Sequence, residues 1–220
     1  MESPARSSLY KVVGIKVDEL LKLVEGKVSL IYGEAGAGKT NIILQFLSLI
    51  SITSCGKVVY VSTEGPLYSA ILDRYGFSEN ALFIDVYDSN SLLQLVLDVY
   101  KNLRKDLKAI AIDTVNNFYR VEVSYEPHSN RVFNTILALL NDMSVNNGTT
   151  CLLAAQVSGF DDDVRMSGFQ ILRYWCDYVF KLEKVGRNVR RLLTEFPKEA
   201  NLEMRYVITS NGVEWLAYES

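Results

Sequence analysis

Along most of this chain, short runs that are apolar throughout alternate with longer stretches of mixed polarity. Residues 28–32 form such a run and lead into a glycine-rich loop, after which residues 41–52 have helical length. Lys57–Ser62 (KVVYVS) is rich in β-branched and aromatic residues, which suits a buried strand. Residues 82–86 predict another short strand. Asp88 to Ser91 offers N-cap chemistry ahead of a helix running to about residue 105. Residues 109–113 (AIAID) predict a fourth strand. A helix over residues 131–145, closed by Asn146-Asn147-Gly148, precedes a fifth strand at residues 149–155 (TTCLLAA). Strands without polar alternation, joined by helices, imply a parallel sheet covered on both faces.

The pattern changes near the end. Residues 178–184, 189–196, 204–209 and 213–217 are strand-like, with Gly186-Arg187-Asn188 and Asn211-Gly212 as turns. That predicts antiparallel hairpins extending the sheet. The fold class expected is therefore α/β, with a mainly parallel central sheet flanked by helices and C-terminal antiparallel hairpins. One domain over residues 1–220 is expected, residues 1–8 being a loose polar lead-in.

Composition narrows the function classes. Among 220 residues, 49% are hydrophobic and 22% charged, which is globular and not disordered. The most apolar stretch, residues 42–52, is interrupted by Gln45, Ser48 and Ser51 and falls short of the about 20 residues a bilayer needs. No membrane association is expected, and an opening MESPARSSLY without an apolar core makes the cytoplasm the expected address. Cys55, Cys151 and Cys176 are an odd number, far apart, which supports neither a disulfide framework nor a zinc site. A net charge of −3 argues against nucleic-acid binding through bulk charge and leaves room for a local basic groove.

Gly33-Glu34-Ala35-Gly36-Ala37-Gly38-Lys39-Thr40 fits G-x-x-x-x-G-K-[ST] completely, between a strand and a helix. Glycines let successive N–H groups turn toward one phosphate, and the helix start adds its positive end. Lys39 is placed to reach the β- and γ-phosphates of ATP, and the Thr40 hydroxyl is a ligand for Mg²⁺. Asp113, closing AIAID, is the second Mg²⁺-side group, acting through water opposite Thr40. Glu64 ends the strand KVVYVST on the same sheet edge, where it could polarise an attacking water. Gln156, after TTCLLAA, shares that edge and could sense the γ-phosphate.

Four motifs thus follow one another: GEAGAGKT, VSTEG, AIAIDTVNNFYR and LLAAQV. The set resembles the ATPase core of the RecA/RadA recombinase superfamily, in particular its short archaeal RadA paralogues that consist of a core alone. The resemblance runs from about residue 14 to 215. It implies a RecA-like fold and a slow, DNA-dependent, Mg²⁺-dependent ATPase that binds single-stranded DNA and modulates a main recombinase of the RadA type in recombination and repair. Glu64 would be the catalytic carboxylate, with Lys39 and Gln156 beside it, Gln156 coupling ATP to DNA. Loops over residues 120–131 and 157–170 would face DNA, with Arg120, Arg131 and Arg165 on phosphates and Tyr125, Phe160 and Phe169 open to base stacking. Phe196-Pro197 would lie near where a neighbouring subunit's ATP is capped, which leaves room for a homo-oligomer.

Some positions depart from that pattern. Asp161-Asp162-Asp163 puts three like charges in the second loop, where they repel a phosphate backbone. The adenine-framing arginines expected after TEG are replaced by Pro66-Leu67-Tyr68-Ser69-Ala70-Ile71, with Tyr68 as a substitute stacking partner. With no helix-hairpin-helix segment ahead of the core, strand exchange by a filament of this protein alone is not expected. These departures favour the alternative, a KaiC-like regulatory ATPase acting through protein partners without DNA. His128 in a polar loop carries no expected role, and Lys181, Lys184, Arg187, Arg190 and Arg191 read as a solvated hairpin.

Overall fold

The structure, a computed structural model, describes residues 15–67, 72–157 and 166–216. Its strands are β1 (Val28–Gly33), β2 (Lys57–Ser62), β3 (Ala81–Asp85), β4 (Leu107–Asp113), β5 (Thr150–Gln156), β6 (Tyr178–Lys184), β7 (Val189–Phe196), β8 (Glu203–Thr209) and β9 (Gly212–Trp215). They form one sheet in the order β3-β2-β4-β5-β1-β6-β7-β8-β9. Pairing is parallel from β3 to β6 and antiparallel from β6 to β9. The helices are α1 (Ile15–Val24), α2 (Lys39–Thr53), α3 (Ser89–Asn102), α4 (Asn117–Glu122), α5 (Ser129–Asn147) and α6 (Phe169–Trp175).

Alternation along each buried strand feeds two cores. One side of the sheet (Ile31, Val58, Tyr60, Ala111, Leu152, Phe180) packs under α1, α2 and the side chains of Tyr206, Val213 and Trp215. The other side (Leu30, Val59, Val61, Ile110, Leu153) packs under α3, α4, α5 and α6. Helix α2 is apolar on nearly every face, with Ile42, Ile43, Leu44, Phe46 and Leu47 buried, as a helix wedged between a sheet and other elements must be. Each such side chain contributes about 2 kcal/mol on leaving water.

The sheet expected from sequence is present, and so are the hairpins. Helix α3 starts from the N-cap Asp88, whose side chain accepts from the Ser91 N–H at 2.8 Å. It stops at Asn102, short of the expected residue 105, in a turn closed by Asp106 N–H on Leu103 O. Helices α1, α4 and α6 are additions to the sequence reading. Cys151 and Cys176 are buried and Cys55 is exposed. Among the described residues, no helix is long and apolar enough to cross a membrane.

Candidate nucleotide site

The topology brings the ends of β1, β2, β4 and β5 to one edge of the sheet, and every side chain of the site hangs from one of them. The loop Gly33 to Thr40 leaves β1 and turns into α2. Gly38 is left-handed, with φ +105°, and a Cβ there would stand 2.7 Å from Ile208 Cδ1. A Cβ on Gly33 would meet the Leu182 carbonyl oxygen at 2.5 Å. Larger residues at these two positions would therefore reshape the loop.

Lys39 is buried and folds back across this loop, its Nζ donating to the carbonyls of Gly33 (2.9 Å) and Glu34 (3.1 Å). Burial lowers its pKa most strongly. Asp113 and Glu64 pull in the other direction, and Lys184 adds to the lowering. Thr40 Oγ1 donates to Asp113 Oδ2 at 2.6 Å, and the Tyr60 hydroxyl donates to the same oxygen at 2.9 Å. The two residues expected on the Mg²⁺ side, Thr40 and Asp113, are thus side by side and in direct contact. Asp113 is buried, and that burial raises its pKa. The bonds from Thr40 and Tyr60 and the charge of Lys39 work against the rise, while Glu64 adds to it.

Among the described residues no cluster of three or more His, Cys, Asp or Glu could hold a metal ion. A Mg²⁺ ion shared with phosphates needs no such cluster, since it keeps several waters and takes only one or two protein oxygens. Thr40 Oγ1 and Asp113 Oδ2 are two hard oxygen donors beside the phosphate loop, and they fit that role.

Glu64 is exposed at the end of β2, and its Oε1 accepts two bonds. One comes from Thr114 Oγ1 at 2.9 Å and one from Gln156 Nε2 at 2.8 Å. Gln156 Oε1 in turn accepts from Arg120 Nη1 at 2.9 Å. Thr114, Gln156 and Arg120 therefore form one hydrogen-bonded chain with Glu64, drawn from three neighbouring strand ends. The rest of the DTVNNFYR segment explains how they are aligned. Asn116 Nδ2 donates to Gln156 O (3.0 Å) and its Oδ1 accepts from Gln156 N–H (3.1 Å), while Asn117 Nδ2 donates to Thr63 O (2.7 Å). The polar side chains of this segment thus tie β4 to its neighbours β2 and β5.

Of the residues offered for DNA, Arg131 and Tyr125 are exposed. Arg120 is not a free surface charge; it is bonded to Gln156. Phe169 is partly exposed and meets Tyr32 edge-on, with ring centroids 6.3 Å apart. Phe160, Arg165, the Asp161-Asp162-Asp163 run and Tyr68 lie outside the described residues. The hairpin cations lie at the surface as expected, Lys184 and Arg187 exposed and Lys181, Arg190 and Arg191 half-exposed, but most are bonded. Lys181 and Arg191 pair with Glu183 (2.8 and 2.7 Å), and Lys184 and Arg190 lie on the phosphate loop itself. Sequence reasoning also passed over Tyr60, Thr114, Asn116 and Tyr206. For Thr114 and Asn116 a signal existed, because polar residues directly after an apolar strand at this edge face the same site as Asp113.

No family model matches the chain. Curated relatives do. It is 26% identical over 203 residues to the DNA repair and recombination protein RadB of Methanocaldococcus jannaschii, covering 86% of this chain and 93% of that one. With RadB of Methanococcus maripaludis strain C7 it shares 29% identity over 211 residues, covering 90% and 97%. The crystal structure of the RadB recombinase superposes with a TM-score of 0.71 at 20% identity, over 88% of this chain and 92% of that one. The chain is similar to RadB, a RecA/RadA-type recombinase paralogue. The likeness to RadB covers most of the chain, so the expected RecA-like fold is borne out, as is the resemblance to the RecA/RadA superfamily.

Proposed function

We propose that this chain is a RadB-like recombinase paralogue acting in DNA repair, an ATPase that works slowly with Mg²⁺. In this reading it binds single-stranded DNA and modulates a main recombinase of the RadA type in homologous recombination. Residues Gly33 to Thr40 would cradle the phosphates, their N–H groups and the α2 N-terminus supplying the positive field. Lys39 would leave its own loop carbonyls for the β- and γ-phosphates. Thr40 and Asp113 would hold Mg²⁺, which when bound neutralises charge on the phosphate oxygens. The Oε2 of Glu64, which accepts no bond among the described residues, would take the proton of an attacking water.

The observation that carries the reading is the chain Thr114–Glu64–Gln156–Arg120. It joins the carboxylate suited to hydrolysis to the starts of the two segments, after Asp113 and after Gln156, expected to meet DNA. A strand bound on those segments would pull on Arg120 or Gln156 and thereby change what Glu64 is bonded to. The repair role is supported by the RadB relatives, which are named DNA repair and recombination proteins.

The test is ATP turnover with and without single-stranded DNA at low salt, with Lys39→Ala as the blank. Low salt matters because phosphate contacts weaken steeply as salt rises. The reading expects DNA to raise a Lys39-dependent rate several-fold. A Lys39-dependent rate that ignores DNA would favour the KaiC-like alternative, in which the ATP-bound state is read by a protein.

A further inference from the structure

Three consecutive carbonyls of the phosphate loop are each held by one side chain of the antiparallel tail. Lys184 Nζ donates to Ala35 O at 2.8 Å, Arg190 Nε to Gly36 O at 3.3 Å, and the Tyr206 hydroxyl to Ala37 O at 2.8 Å. These three residues form a row. Lys184 stands directly opposite Arg190 across the β6–β7 pair, and Arg190 directly opposite Tyr206 across β7–β8. Tyr206 is fully buried, and Arg190 is steadied by a second bond from Nη1 to Asn188 O at 3.1 Å.

The charges in this row are unusual. Like charges directly opposite each other on a sheet are destabilising, and one residue earlier along β6 the opposed pair is Glu183 with Arg191, an ion pair at 2.7 Å. On the loop-facing side, neither Lys184 nor Arg190 pairs with a carboxylate among the described residues. Two unneutralised cations and a buried hydroxyl therefore converge on neutral backbone. That arrangement has a use if the backbone's other side holds a polyanion. A carbonyl bonded on the outside of a tight loop leaves its peptide N–H on the other side, the orientation a phosphate nest needs; this applies to the peptides of Ala35 and Ala37, whereas the Ala37 N–H, in the Gly36 peptide, closes a turn on Glu34 O at 3.1 Å. The cations also add to the field already set by Lys39 and the start of α2.

We propose that Lys184, Arg190 and Tyr206 are positioning residues of the nucleotide site: they hold the loop carbonyls of Ala35, Gly36 and Ala37 outward, fixing the turn so that the Gly36 and Gly38 N–H groups face the phosphates. This rests on the nucleotide-binding reading above. The ligand class is a nucleoside di- or triphosphate, and the effect is common to both, because the loop cradles the phosphates that ADP and ATP share.

Fluorescent ADP and ATP analogues would be titrated into wild type, Tyr206→Phe, the double variant Lys184→Ala/Arg190→Ala and its counterpart Lys184→Gln/Arg190→Gln. Each lost bond weakens both nucleotides about fivefold, and the double Ala variant about twentyfold. The double Gln variant, which keeps a donor on each arm, loses less. In turnover assays KM for ATP rises while kcat holds. Nucleotide-free melting of the two double variants stays near wild type, since the bonds made by Lys184 and Arg190 are exposed. Unchanged affinities in the double Ala variant overturn the proposal. So does a loss confined to ATP, which would mean the cations touch the γ-phosphate instead, or a loss matched by a collapse of nucleotide-free melting. Lys39→Ala run alongside separates the two levels. If wild type shows no Lys39-dependent binding, the nucleotide reading falls too; if it does and the tail variants bind as wild type does, only the row's role falls.

Discussion

Replacing Asp113 by Asn removes a negative charge from a place where its burial outweighs its partners. The side chain is 5% exposed, and two donors, Thr40 Oγ1 and Tyr60 Oη, share its Oδ2. An Asn keeps an acceptor for both. The change from charged to neutral acceptor costs about 1 kcal/mol per bond, whereas the effective penalty for a buried carboxylate is on the order of several kcal/mol. The raised pKa of Asp113 gives the direction of the balance. Asp113→Asn should therefore stabilise the nucleotide-free protein at neutral pH by about 1–2 kcal/mol, or about 2–4 °C in Tm for each kcal/mol. Because the folded-state pKa lies above the unfolded one, the native protein takes up the proton more readily. The penalty is absent below the ordinary carboxylate range and grows as pH rises through the folded-state value, so the gain shrinks in acid. Calorimetry of both proteins at neutral and at acid pH measures this, and added Mg²⁺ and ATP should raise the Tm of wild type alone. An Asp113→Asn protein that melts lower than wild type at neutral pH without nucleotide would refute the reasoning. The donors, not burial, would then govern Asp113.

Glu64→Gln should bind ATP as wild type does and lose turnover by about 100-fold or more, the usual scale of a general base, in a steady-state phosphate-release assay; undiminished turnover removes Glu64 from its role. Arg120→Ala frees the Gln156 amide, loosening its hold on Glu64 Oε1. Basal turnover should then rise and any DNA response shrink, while an unchanged basal rate would mean the Gln156–Glu64 bond restrains nothing. Asp88→Ala removes the cap of α3 and should cost about 1 kcal/mol, read as a lower urea midpoint with an unchanged slope.

Where a single residue type had to satisfy local geometry, the sequence was readable. Lys57–Ser62, Tyr178–Lys184 and Val189–Phe196 came out to the residue, because β-branched and aromatic runs ending at turns leave little choice of register. Helix α1 was missed although Val17, Leu20, Leu21 and Val24 have helical spacing, while α4 and α6, at six and seven residues, are too short to show a period. In the site, the glycines, Lys39, Thr40 and Asp113 are dictated by what a phosphate loop must present. Thr114, Asn116 and the Arg120–Gln156 bond depend on which strands lie side by side, and only the β2-β4-β5 order makes them neighbours. The hairpin cations illustrate the same limit. Charge spacing along β6 and β7 looks like an ordinary solvated surface until the pairing puts Lys184 opposite Arg190 and turns both toward a loop 149 and 154 positions away.

That separation sets an order of events during synthesis. At about 5–20 residues per second, the loop Gly33 to Thr40 is made on the order of ten seconds before the tail side chains bonded to its carbonyls. Strand β1 likewise waits for β5 and β6, its neighbours on either side. A nascent chain therefore carries the complete motif GEAGAGKT before the strands and tail side chains that surround it exist. If the tail braces the loop as proposed, nucleotide stabilises the protein only once the last strands have docked, and a segment competing for the open edge of β1 would disarm the site while leaving every residue of its motif untouched.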